Sequence, residues 1–131
     1  MTEADINVLV IDDVNSIRVQ IKELMRSMGF KKIKAAASPE EAIAMLEGEK
    51  FELVLCDWHM APFDGLEILR YVRRTPQHAT SAFVMVTAEG TRERVIEAVQ
   101  SGVDDYVLKP LTAASIKTKV YAALKKRQVL A

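Results

Sequence analysis

Five polar residues of this chain stand where they can act on one another: Asp12, Asp13, Asp57, Thr87 and Lys109. They follow short apolar runs, Asp12 and Asp13 after Ile11, Asp57 after Cys56, Thr87 after Val86 and Lys109 after Leu108. Three carboxylates brought together repel, so the group must take up protons or a cation. An oxygen-only donor set with few protein ligands and room for water suits Mg²⁺, which commonly bridges protein carboxylates to a phosphate. Lys109 adds a flexible point charge suited to a phosphoryl oxygen, and Thr87 adds a hydroxyl donor. An aspartate can itself be a nucleophile and form an acyl phosphate. In phosphoryl transfer, positioning and charge neutralisation supply most of the catalysis.

Taken singly, each residue has an ordinary explanation. An Asp-Asp pair after a strand is usually a helix cap, with Asp13 helping to cap the helix that follows. A lysine before a proline is usually a surface residue. Only their joint placement points to chemistry, so the elements that carry them decide the reading.

Apolar runs of strand length alternate with longer stretches of helical period. Residues 6–11, 53–56 and 83–86 are nearly continuous apolar runs, as in strands buried on both faces of a parallel sheet. Residues 106–108 form a shorter run of the same kind, and residues 32–37 a weaker one, expected at a sheet edge. Five helical stretches lie between and after them. In the first, Val14, Ile17, Ile21, Leu24, Met25 and Met28 share a face, and Gly29 is the stop. Ser38-Pro39-Glu40-Glu41 reads as a capping box that opens a second helix through about Glu47. Leu66, Leu69 and Val72 mark a third, ended near Pro76. Thr91 opens a fourth with Val95, Ala98 and Val99 on one face, and Thr112 caps a fifth with Ile116, Val120, Ala123 and Leu124 inward.

The βαβαβαβαβα order predicts an α/β fold, a doubly wound, five-stranded parallel sheet with helices on both faces. Right-handed crossovers leave few topologies. In such sheets ligands bind beyond the carboxyl ends of the strands, where strand order reverses. With the order 2-1-3-4-5, the first and third strands are neighbours at that point, and Asp12, Asp13 and Asp57 converge.

Composition narrows the field. At 131 residues, residues 1–131 are expected to form a single domain. Half the residues are hydrophobic and 27% charged, which fits a folded globule. Lysine plus arginine and aspartate plus glutamate are each 18, so no basic excess points to nucleic acid. One cysteine, Cys56, allows neither an internal disulfide nor a thiolate zinc cage. A lone cysteine fits a reducing compartment, the cytoplasm, and no run approaches membrane-helix length.

With these residues in place, the chain resembles the receiver domains of two-component response regulators, in particular the single-domain, CheY-like kind with no output domain. The resemblance spans about residues 7–127. It rests on Asp12-Asp13, Asp57-Trp58-His59-Met60 with Asp64-Gly65, Thr87-Ala88 and Lys109-Pro110, all at family-like spacing. It implies a flavodoxin-like (βα)5 fold and a phosphoryl switch that is not an enzyme but assists its own phosphorylation and dephosphorylation. Asp57 would accept a phosphoryl group from a sensor histidine kinase or a histidine phosphotransfer protein. Asp13, Asp57 and the backbone carbonyl of His59 would hold Mg²⁺, with Asp12 assisting through water. Lys109 would pair with the phosphoryl group, with the Lys109-Pro110 bond cis. Thr87 would bind a phosphoryl oxygen and move toward it on activation, and Tyr106 would turn inward with it. His59 and Glu89 would flank the phosphoryl group and tune its loss to water. The family has proline straight after the methionine; here Ala61 intervenes before Pro62, which leaves the path of that loop open.

The resemblance also implies an output surface on the fourth helix, fifth strand and fifth helix. Here it would include Arg92, Arg94, Val95, Tyr106, Lys117 and Lys119, a mildly basic face suited to an acidic partner such as a flagellar motor switch component. The protein is expected to be a monomer. Two further outputs fit the same motifs: a phosphorelay intermediate, and a receiver-like interaction module that is never phosphorylated. Two other classes are disfavoured. An aspartate-nucleophile phosphohydrolase needs a second acid two residues after its nucleophile, where this chain has His59. A flavin binder needs a Gly/Ser/Thr-rich first loop to cradle phosphate, where this chain has Asp12-Asp13-Val14-Asn15.

Overall fold

A computed structural model describes residues 1–130. Five strands and five α-helices alternate: β1 Asn7–Ile11, α1 Asn15–Ser27, β2 Lys32–Ala36, α2 Pro39–Gly48, β3 Leu53–Cys56, α3 Gly65–Arg74, β4 Ala82–Thr87, α4 Arg92–Gln100, β5 Asp105–Leu108 and α5 Ala113–Lys126. All strand pairs are parallel, in the order β2-β1-β3-β4-β5, the order expected from the sequence. Ile11 lies opposite Cys56, and Cys56 opposite Met85. The carboxyl ends of β1 and β3 are therefore level, and the residues after them emerge side by side.

The apolar strand runs reflect burial on both faces, because successive strand side chains point to opposite sides. Leu9, Ile11, Val54, Cys56, Phe83 and Met85 pack with Leu46 of α2, Leu69 and Val72 of α3 and Ala98 of α4. Val8, Val10, Leu53, Leu55, Val84 and Val86 pack with Ile21 and Met25 of α1 and with Ile116, Val120 and Leu124 of α5. Edge strand β2 alternates between exposed and partly buried residues before its buried end at Ala36. No helix among the described residues is long and apolar enough to cross a membrane.

Gly29 (φ 99°) and Gly102 (φ 98°) end α1 and α4 in the left-handed region open to glycine. Several local expectations change. Val14 precedes α1 as its N-cap and is exposed, not part of the inward face. Asp13 does not cap α1; no side chain does. The box at Ser38 is half formed: Ser38 Oγ accepts from the Glu41 N–H at 3.1 Å, with no return bond. Thr91 stands at the start of α4 without capping it, whereas Thr112 and Ser115 form a full box at α5. On α4 only Ala98 is buried; Val99 is 61% exposed and Val95 only partly covered. This helix rests on the sheet through one small residue, and Val99 stands a further ~100° round the helix.

At the amino end of the sheet lies a second polar cluster that the sequence reading did not anticipate. The fully buried Asp104 carboxylate accepts from Arg73 Nη2 at 2.9 Å, Arg127 Nε at 2.8 Å and the Phe83 N–H at 2.9 Å. Arg73 also donates to the carbonyls of Gly102 and Ser81. Burial pulls the Arg73 guanidinium below its ordinary value, with the charge of Asp104 opposing. Here an ion pair ties α3, β4 and α5 together on the side of the sheet away from Asp57.

Candidate functional site

The chain leaves β1 through Asp12, whose side chain is 1% exposed. Its N–H donates to the Ala36 carbonyl at 3.2 Å, its Oδ1 accepts from the Val14 N–H at 2.9 Å, and its own carbonyl accepts from Arg18 Nη1 at 2.7 Å. These bonds fix both its backbone and its carboxylate. Asp13, next in the chain, is exposed. Asp57 extends the β1–β3 ladder by one residue, its N–H donating to the Ile11 carbonyl at 2.9 Å. Its Oδ1 accepts from the Trp58 N–H at 2.7 Å. The carboxylates of Asp12, Asp13 and Asp57 each offer an oxygen, and these oxygens lie within 4.8 Å of one another.

Lys109 reaches this group from β5. Its N–H donates to the Thr87 carbonyl at 2.9 Å, and a cis Lys109-Pro110 bond follows it. Its Nζ donates to Asp12 Oδ2 at 2.8 Å and lies 3.4 Å from Asp57 Oδ2. Burial pushes the Asp12 carboxyl above its ordinary range, against the hydrogen bonds from Lys109 and Val14. For Lys109, burial pulls the ammonium down, but the bond to Asp12 and the charges of Asp57 and Asp12 outweigh it and hold it above the ordinary lysine value. The site is thus a carboxylate cluster only partly neutralised by one ammonium. Oxygen donors of this density fit a small hard cation such as Mg²⁺.

Thr87 is the last residue of β4 rather than the first beyond it, and it is buried. Its Oγ1 accepts from the Glu89 N–H at 3.2 Å, within its own loop. Glu89 joins several parts of the site. Its Oε1 lies 3.0 Å from His59 Nε2, and its Oε2 accepts from the Thr91 N–H at 3.3 Å. Its carbonyl accepts from the Tyr106 hydroxyl. The Thr91 N–H and His59 hold the Glu89 carboxyl below its ordinary range. Burial, with the charges of Glu89 and Asp57, pushes the Tyr106 phenol up to about 12. The exposed His59 and the partly buried Glu89 therefore meet as a pair, bridging the β3–α3 and β4–α4 loops.

The loop after Asp57 holds its shape by a close approach. The Gly65 N–H donates to the Trp58 carbonyl at 2.8 Å, and a Cβ on Gly65 would run into the Asp57 carbonyl oxygen. Asp64 Oδ1 caps α3 by accepting from the Glu67 N–H. The Ala61-Pro62 bond in this loop is cis. Cys56 is a core residue, its thiol pushed well up by burial.

The expected basic face does not hold as one surface. Arg92 and Arg94 are exposed on α4, and Lys119 pairs with Asp105 of β5 at 3.2 Å. Lys117 belongs elsewhere: it lines a groove between α1 and α5 with Leu24, Ser27, Met28 and Tyr121. Positions two apart on a helix are ~200° apart, so these lysines cannot share a face. The sequence reading also passed over Arg18, which holds the Asp12 carbonyl, and over the exposed Ile96, while Val99 and Leu108, expected among the packed residues, are exposed. Arg18 carries no signal in the sequence beyond its place on the first turn of α1.

The response regulator receiver domain family matches residues 8–121. Chemotaxis protein CheY of Pseudomonas aeruginosa is 38% identical over 113 residues, 86% of this chain and 91% of that protein. Chemotaxis protein CheY-3 of Vibrio cholerae is 35% identical over 116 residues, 88% of this chain and 89% of that protein. A chain of the CheX-CheY-BeF3-Mg²⁺ complex of Borrelia burgdorferi superimposes with a TM-score of 0.83 at 26% identity, covering 89% of this chain and 87% of its own.

Proposed function

The chain belongs to the response regulator receiver family, of the CheY type that serves two-component signalling, and we propose that it is a switch set by phosphoryl transfer to Asp57. The observation that carries this reading is the meeting of Asp12, Asp13 and Asp57 within 4.8 Å, with the Lys109 ammonium on two of them.

In this reading Asp13, Asp57 and the His59 carbonyl would hold Mg²⁺, with Asp12 assisting through water, and the bound cation would supply neutralisation of the negative charge of a phosphoryl group in transfer. A carboxylate oxygen of Asp57 attacks the phosphorus of a phosphohistidine. The new P–O bond forms as the P–N bond breaks, and the imidazole leaves with the electron pair. Lys109 follows the new charge from Asp12 and Asp57 to a phosphoryl oxygen. Thr87 gives up the Glu89 N–H and donates its hydroxyl to a second oxygen, and Tyr106 moves with the Glu89 carbonyl to which it is bonded. Reversal of the switch is attack by water on phosphorus, releasing phosphate and regenerating the carboxylate, with His59 and Glu89 beside the path of that water.

The donor is a sensor histidine kinase or a histidine phosphotransfer protein. The active form recruits its target through α4, β5 and α5, in the manner of a motility switch acting in the cytoplasm. The solved CheX-CheY-BeF3-Mg²⁺ complex is precedent for partner binding in this family. Charge and packing shifts at the acceptor bias two pre-existing conformations rather than create a new one.

Intact mass after incubation with acetyl phosphate and Mg²⁺ tests the acceptor. One phosphoryl adduct is expected, dependent on Mg²⁺ and absent in Asp57→Asn. A beryllofluoride titration read by Trp58 fluorescence covers the case of fast hydrolysis. No adduct and no response to beryllofluoride would leave a receiver-shaped binding module.

A further inference from the structure

Trp58 is pinned at every side. Its N–H is on Asp57 Oδ1 at 2.7 Å, and its carbonyl takes the Gly65 N–H at 2.8 Å. Its indole is 1% exposed and packs in the cluster that lies under α3 and α4. The Arg94 guanidinium of α4 lies over this ring, its Cζ 5.5 Å from the centroid, inside the range of a cation–π contact. Arg94 is steered there by Glu97, whose Oε1 is 3.1 Å from Nη1, and Glu97 lies 3.8 Å from Arg70 of α3.

This contact matters because α4 has so little else beneath it. Ala98 is the only fully buried residue of the helix. The helix is also linked to Thr87 by four residues of loop, and that loop is held by the Thr87–Glu89 and Tyr106–Glu89 hydrogen bonds. When Thr87 exchanges the Glu89 N–H for the acceptor, the start of α4 is pulled along. A contact made in the present arrangement and broken by that shift opposes it.

We propose that Arg94 is a positioning residue for phosphoryl acceptance: stacked on Trp58, it holds α4 in the arrangement seen here, and its removal favours the arrangement with Thr87 on the acceptor. The inference rests on Asp57 being the phosphoryl acceptor. Arg94 touches no reacting atom; it acts through Trp58 and the seat of α4.

The test is calorimetric titration of beryllofluoride in Mg²⁺ for the wild type, Arg94→Met and Arg94→Lys, with urea unfolding of each in the absence of beryllofluoride. Loss of an exposed cation–π contact should tighten the dissociation constant of Arg94→Met roughly two- to fivefold. Arg94→Lys keeps a cation within reach of the ring and should return toward the wild-type value. A merely structural contact would lower the urea midpoint and leave the dissociation constant unchanged; that result, or weaker binding, overturns the inference. A wild type that takes up no beryllofluoride overturns the acceptor reading and this inference with it. Uptake by the wild type with an unchanged Met variant overturns this inference alone.

Discussion

Lys109 and Asp12 are 97 residues apart in the chain and joined in space, Nζ donating to Oδ2 at 2.8 Å. The same ammonium lies 3.4 Å from Asp57. A single side chain thus holds the cluster together before any phosphoryl group arrives, and it is the group best placed to follow that charge afterward.

Lys109→Met should therefore destabilise the metal-free protein by about 2 kcal/mol at neutral pH, the scale of a lost bond to a charged group. Urea unfolding measures it, and added Mg²⁺ should recover part of the loss. Adduct formation from acetyl phosphate should slow roughly a hundredfold, the usual cost of one missing charge-stabilising donor. The pH dependence follows from the raised Lys109 value. Its contribution is complete below the ordinary 10.5 and is lost as pH rises through the folded-state value. The stability gap between wild type and Lys109→Met should close above that point, and a gap that persists in strong alkali would count against the pairing.

Asp12→Asn should act in the opposite sense on stability. Burial raises the folded-state value of Asp12 above the ordinary 3.8, so the native state binds the proton more tightly than the unfolded chain. Stability from this group is present at low pH and lost as pH rises from 3.8 through the folded-state value. At neutral pH its charge is a cost. Asn should raise the metal-free stability by roughly 0.5–2 kcal/mol, as is usual when a functional charge is removed. The stabilisation conferred by Mg²⁺ should shrink in the same variant, which thermal unfolding with and without the ion will show.

Gly65→Ala tests the close approach behind the acceptor. A Cβ at this position meets the Asp57 carbonyl oxygen, which is backbone and cannot swing aside. A loss of about 3 kcal/mol is expected in urea unfolding, together with slower adduct formation because the acceptor strand end must shift.

Arg73→Leu separates fold from function. Removing one partner of the buried Asp104 should cost about 3 kcal/mol, softened by Arg127, which stays at 2.8 Å. The cluster lies on the side of the sheet away from Asp57. Adduct formation per folded molecule should match the wild type, and a selective loss of phosphoryl uptake would show coupling across the sheet.

Much of this was legible in the sequence. The alternation of apolar runs with helical stripes determined the element order, because strand and helix periods differ and parallel strands need helical crossovers. Given that order, Asp12, Asp13, Asp57, Thr87 and Lys109 had to lie at one edge, since each closes or follows a strand. Side-chain pairing was another matter. That Arg94 turns onto Trp58, that Arg18 holds the Asp12 carbonyl, and that Asp104 gathers Arg73 and Arg127 depend on neighbours from distant elements. So does the exposure of Val99, which periodicity had turned inward: α4 buries only Ala98. Helical geometry separates Lys117 from Lys119, but only packing decides that α1 lies beside the first and β5 beside the second. Periodicity is a local property and fixes which residues share a face; what that face meets is set by how the layers close, and this the tertiary structure alone decided.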